Sequence, residues 1–188
     1  MRPEDFHKAV ETLGVLIQQN LPAINEKMAL NAYAKMRDRI QNEGTIGEDK
    51  SLGKYSENEL PAFFFKGKSL NAKGEEFYLK AKKKGKGISY ADWRKANNRP
   101  TDKVNLTFSG TTLQDIGVVR QINQDNRVVT VVGPKNTKTR KDGQSTEDIV
   151  DHLGDMYGDF LEPNREEEAE LQKFLNNETM KLIKQVFA

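Results

Sequence analysis

The chain has 188 residues, 31% of them charged and 36% apolar, with no cysteine and a formal net charge of +2. That length makes one domain the default, and the lean apolar fraction implies long surface loops or faces completed by a partner. Disulfides, thiolate nucleophiles and cysteine metal sites are excluded, two histidines (His7 and His152) are too few for most metal centres, and no apolar run approaches the roughly 20 residues that span a bilayer. The small net charge conceals a division: −2 over residues 1–65, +8 over 66–103, +3 over 104–145 and −7 over 146–188. A basic middle and an acidic tail suit complementary contact with copies of the same chain or with a charged partner. The first residues, Met1-Arg-Pro-Glu-Asp5, lack the apolar core of a signal peptide, so a cytoplasmic site of synthesis and assembly is expected.

The elements are expected in five stretches of a single domain: N-terminal helices (1–42), a long loop or arm (43–103), strands and a hairpin (104–133), a basic loop (134–144) and C-terminal helices (145–188). Pro3, Glu4 and Asp5 suit a first helical turn. Phe6, Val10, Leu13 and Ile17 then lie on one face of a helix. Pro22 is predicted to break or restart it, because Leu21 is pushed away from helical angles. A second helix to about Asn42 carries Ile24, Met28, Ala32, Met36 and Ile40, and reaches roughly 30 Å at about 1.5 Å per residue. It reads either as an ordinary core helix or as one that also packs against a neighbouring subunit.

Gly44 and Gly47 end that helix, and Glu43 to Glu59 reads as a surface loop with Tyr55 as an aromatic anchor. Leu60-Pro-Ala-Phe-Phe-Phe65 is expected as a short edge segment, with the middle ring on the opposite face from its neighbours. Core and interface readings both stand for it. Lys66 to Gly87 reads as a mobile basic loop in which Lys80, Lys82, Lys83, Lys84 and Lys86 surround two glycines. It is either a solvated loop or a contact for DNA phosphates or an acidic protein surface. No arginine or aromatic interrupts the lysine run, so base stacking is not implied.

Ser89, with Asp92 three residues on, caps a short helix Tyr90–Ala96 that holds the sole tryptophan, Trp93. Tyr90 and Trp93 read as structural anchors for the basic arm. Leu106 and Phe108, alternating with polar residues after Val104, read as anchors on a strand or extended segment entering the core, turned at Gly110. Ile116–Ile122 and Asn126–Gly133 are β-branched runs around Asn123-Gln-Asp-Asn126, the best hairpin signal in the chain. Gly133 to Gln144 is a second basic loop with Lys135, Lys138, Arg140 and Lys141, candidates with the first lysine group for DNA or partner contact. Ser145 with Asp148, and Asn164 with Glu167, start the last two helices as capping boxes. Ile149, Val150, Leu153 and Met156 form the apolar face of one; Leu171, Phe174, Leu175, Ile183 and Val186 line the other, from about Arg165 to Val186.

No catalytic constellation emerges. His152 follows Asp151 but is explained as a partly exposed residue of a capped helix. Gly85-Lys-Gly87 lacks the ending and flanking strand of a P-loop, and Glu166 to Glu170 lacks calcium-loop spacing. No cofactor or metal site is expected, and neither is an enzyme.

The order of several segments resembles the tail-completion, or virion-morphogenesis, proteins of tailed bacteriophages. The segments are Asp38-Arg-Ile-Gln-Asn-Glu-Gly44, Gly53-Lys-Tyr-Ser56, Tyr90-Ala-Asp-Trp-Arg94, Asn105-Leu-Thr-Phe-Ser-Gly-Thr111, and His152-Leu with Tyr157-Gly and Phe160-Leu161. They are spread from about Leu30 onward. The chain departs from the family pattern in lacking Pro-x-Arg before Phe160-Leu161, and its segments 66–87 and 135–144 are long. The resemblance implies an α+β fold, a small antiparallel sheet packed by N- and C-terminal helices. It further implies a homo-oligomeric ring in the virion neck, portal and tail proteins as partners, DNA passing through or near the lumen, and no membrane. A sequence-independent nucleic-acid-binding module acting through the basic loops is the alternative.

Overall fold

In the computed structural model, which describes residues 2–48, 50–107, 111–124, 127–135 and 145–187, helix α1 (Pro3–Asn42) passes unbroken through Pro22. Its 40 residues extend about 60 Å at 1.5 Å each. Proline inside a helix forfeits one backbone bond and crowds the preceding turn, yet the break expected there does not occur. Contacts from the hairpin hold the helix at the proline and just after it. The Gln121 side-chain amide donates to the Pro22 carbonyl at 2.7 Å, and the Asn25 amide donates to the Val128 carbonyl at 2.9 Å.

The fold is mixed α+β. Helix α6 (Arg165–Phe187) packs along α1, and the hairpin β5 (Ile116–Gln124) and β6 (Arg127–Pro134) lies against the same helix. The remaining strands form two further antiparallel pairs: β1 (Thr45–Ile46) with β2 (Lys50–Ser51), and β3 (Glu59–Leu60) with β4 (Ile88–Ser89). Hairpin register runs from Ile116 opposite Pro134 to Gln124 opposite Arg127, with a bulge between Val118 and Arg120. The main core gathers Tyr33, Met36 and Ile40 of α1 with Leu113, Ile116 and Phe160. Burial pushes the Tyr33 phenol up to about 12, against the pull of nearby Arg37; its hydroxyl donates to the Leu113 carbonyl.

Several local expectations fail for nonlocal reasons. The segment 66–87 is not a loop throughout, because α2 (Ala72–Lys83) occupies its centre. Asn71 caps α2, accepting from the Gly74 N–H at 2.8 Å, and Tyr78 and Ala81 are buried in a second core with Phe65, Ile88 and Trp93. The lysines of its last turn suit the negative end of the helix dipole. Phe63-Phe64-Phe65 forms a 3₁₀ turn rather than an edge strand, and it is Phe65, the third ring, that is buried. Of the strand or extended segment expected around Val104 and Leu106, no strand forms, but the segment does enter the core, with Val104 buried and Leu106 packed on it. Leu106 is half-buried at a φ of +48°, and backbone acceptors here serve side chains instead of a ladder. Phe108 and Gly110 lie outside the described residues.

Local signals served the helix starts better. Ser89 caps α3 (Tyr90–Ala96), accepting from the Asp92 N–H at 3.0 Å, and a single turn, α4 (Thr111–Gln114), precedes the hairpin. Ser145 and Asp148 close a full capping box on α5 (Thr146–Tyr157). Asn164 and Glu167 exchange two 2.9 Å bonds at the start of α6. On α5, Val150 and Leu153 pack on the core as expected, but Met156 is 57% exposed and Tyr157 takes its place. Among the described residues no helix is long and apolar enough to cross a membrane.

Trp93 is 1% exposed and packs against Phe65, with ring centroids 5.1 Å apart. Trp93→Ala is therefore expected to destabilise the chain by about 3–5 kcal/mol in a denaturant titration followed by circular dichroism. A change below about 1 kcal/mol would contradict the anchoring role.

Candidate interaction surfaces

Three segments distant in sequence meet beneath the surface at Arg94, which is 1% exposed. Its Nε donates to the Pro100 carbonyl at 2.9 Å, one terminal nitrogen to the Thr107 carbonyl at 2.5 Å, and the other to Asn105 Oδ1 at 3.1 Å. The guanidinium lies over the Tyr55 ring, 4.0 Å from its centroid, a cation–π contact in a desolvated setting. Tyr55 donates to Asn105 Oδ1 at 2.9 Å and accepts the Asn105 N–H at 3.0 Å. Tyr90 packs edge-on against Tyr55 at 5.5 Å. Burial pushes the Tyr55 phenol above its ordinary value, with its bond to Asn105 and the Arg94 charge opposing. Trp93 and Tyr90 pack with Tyr78 and Ala81 of the lysine-bearing helix, and Arg94, which sequence reasoning passed over, is the hub of the junction.

Above this junction the C-terminal end of α2 is a basic tip. Lys80 is tied to Glu76 at 2.6 Å, a bond and charge that hold the Glu76 carboxyl below its usual value. Lys82, Lys83, Lys84 and Lys86 are exposed around Gly85, whose φ of +61° turns the chain. Among the described residues no acid pairs with these four. Lys135 is exposed and sits apart from them, its stem lying over Gly117 at the start of β5. Lys138, Arg140 and Lys141 lie outside the described residues. Next to β3, Phe63 and Phe64 are 67% and 49% exposed and stack on each other at 4.4 Å, with Leu60 exposed beside them in sequence.

The acidic tail contributes a feature that the sequence did not announce. Between α5 and the segment leading to α6 lies an open groove of about 650 Å³. Val150, Phe160, Leu161 and Pro163 give it an apolar floor, and Asp151, Asp155, Asp159 and Glu162 line it with carboxylates. Gly158, at a φ of +79°, ends α5 and brings the last two acids round to the first two. The one available signal was Asp151 and Asp155 at helical spacing before that glycine. Among the described residues no group of three or more histidines or acids is placed to hold a metal ion. His152 is exposed on α5. What these surfaces offer chemically is recognition by charge and apolar contact.

Comparison with protein-family models, with curated proteins and with solved structures gives no match.

Proposed function

We propose that the chain is a non-enzymatic structural subunit of a tailed-bacteriophage neck, a tail-completion protein that forms a ring between the portal-side connector and the tail. It would be assembled in the bacterial host cytoplasm and reside in the virion. The observation that carries this reading is the junction at Arg94. Three of the segments on which the resemblance rests, 53–56, 90–94 and 105–111, supply Tyr55, Arg94 and Asn105, which interlock. A fourth supplies Arg39, held in a buried ion pair with Glu167. The resemblance therefore follows residues that build the fold, and not composition alone. Exposed Phe63, Phe64 and Leu60 add apolar surface of the kind that partners cover. Light scattering after size exclusion, alone and with portal and tail proteins, tests the reading. A chain that stays monomeric and binds neither would overturn it.

The four lysines of the α2 tip, exposed and without an acidic partner among the described residues, support a second reading, contact with DNA phosphates without sequence selection. It predicts affinity that falls steeply with salt, and a log–log slope reduced by about one for each phosphate-contacting lysine changed to alanine. Filter binding across a salt series checks this. Absence of DNA retention at low salt would remove it.

A further inference from the structure

The α2 tip and the acidic groove are complementary, and neither is ion-paired among the described residues. At the tip, Lys82, Lys83, Lys84 and Lys86 are exposed. Leu79, 53% exposed, lies one helical turn before Lys82 and Lys83 and so shares their face. In the groove, Asp151, Asp155, Asp159 and Glu162 stand around an apolar floor of Val150, Leu161 and Pro163. No ion pair engages either set of charges among the described residues. Four cations flanking one exposed leucine thus face a counterpart of four carboxylates flanking an apolar floor. The helix bearing the tip packs on the Trp93 core and the elements lining the groove pack on the core that holds Phe160.

We infer that the groove receives the α2 tip of a second copy of this chain, with Leu79 on the apolar floor and the lysines against the carboxylate rim. The two patches are different surfaces of one molecule, so the contact either is exchanged reciprocally in a two-fold dimer or repeats head-to-tail. Repeated head-to-tail, it closes into a ring or runs on as a filament. Closure into a ring rests on the neck reading above; the pairwise contact does not. Lysines engaged in this way are withdrawn from DNA, which separates the inference from the second reading.

Charge exchange tests the contact in the full-length chain. One variant carries Lys82→Glu, Lys83→Glu and Lys86→Glu; the other carries Asp151→Lys, Asp155→Lys and Asp159→Lys. All six positions are exposed or on the groove rim, and circular dichroism would verify folding of each variant. Sedimentation velocity at low salt is expected to show the unmodified chain associating and each variant alone as a monomer. An equimolar mixture should recover association, because the reversed tip then meets the reversed groove while the unmodified tip meets the unmodified groove. Association should weaken at high salt, as exposed charges become screened. Variants that associate as well as the unmodified chain, or a mixture that stays monomeric, would overturn the inference. So would an unmodified chain that remains monomeric up to roughly millimolar concentration. In each of these cases the neck reading stands or falls separately, on binding to portal and tail proteins.

Discussion

Arg94→Ala is expected to destabilise the chain by about 3–5 kcal/mol, the upper range for a single buried side chain. The change leaves the Pro100 and Thr107 carbonyls without their donor, strips one partner from Asn105 and opens a void over the Tyr55 ring. An acceptor orphaned in a buried setting costs about 1–3 kcal/mol, which falls chiefly on the buried Asn105 because Pro100 is exposed and Thr107 half-buried, and the lost cation–π contact adds to that. Arg94→Lys should recover little, since a single ammonium cannot reach three acceptors arranged around a planar fork. Trp93, the only tryptophan and adjacent in the chain, supplies a fluorescence probe for the urea titration that measures both. A lysine variant as stable as the native chain would show that charge, and not the fork, matters at this position.

The second large effect lies at the last turn of α1. Arg39 Nε and Nη2 grip the Glu167 carboxylate at 2.9 and 3.2 Å, and the guanidinium also donates to the Glu162 and Gly47 carbonyls. Both residues are buried, so this pair is not a screened surface contact. Removing one partner strands the other's charge, and Arg39→Ala is expected to cost about 3–5 kcal/mol. Glu167→Leu should cost a similar amount, plus about 1 kcal/mol for the cap that Glu167 closes with Asn164. Carrying both changes should cost clearly less than the sum, because no lone charge is then left behind. A double-mutant cycle by chemical denaturation measures the difference, and strict additivity would mean that the two side chains do not communicate.

Features set by neighbouring residues were legible in the sequence. Ser89 with Asp92, Ser145 with Asp148 and Asn164 with Glu167 each declare a helix start through bonds spanning three residues, and all three hold. The β-branched runs around residues 123–126 declare the hairpin in the same way. What failed depended on partners far along the chain. Helix α2 runs into the lysines and glycines of residues 82–87, which read as a loop, while Tyr78 and Ala81 on its inner face pack with Trp93. Val104 to Thr107 alternates like a strand, but its polar groups are taken by Arg94 and Tyr55. The lysines could be named as candidates from sequence because they are consecutive. The groove could not, because Phe160 and Val150 form its floor only once α5 has folded back on the turn at Gly158.

Helix α1 is continuous in geometry but divided in burial. Among its residues before Pro22 none is buried; those side chains lean on α6, as where Phe6 meets Phe187 at 6.1 Å. From Ile24 onward the helix contributes Tyr33, Met36, Arg39 and Ile40 to the interior. Local opening free energy follows burial, so amide hydrogen exchange should cut this single rod into two kinetic units. Amides before Pro22 should exchange through fraying of the α1–α6 pair, while those from Tyr33 to Ile40 should wait for global unfolding. The boundary that proline fails to impose on the shape would then reappear in time, as a step in protection near residue 22. Uniform protection along the rod would mean that the outer half is held by more than the monomer provides.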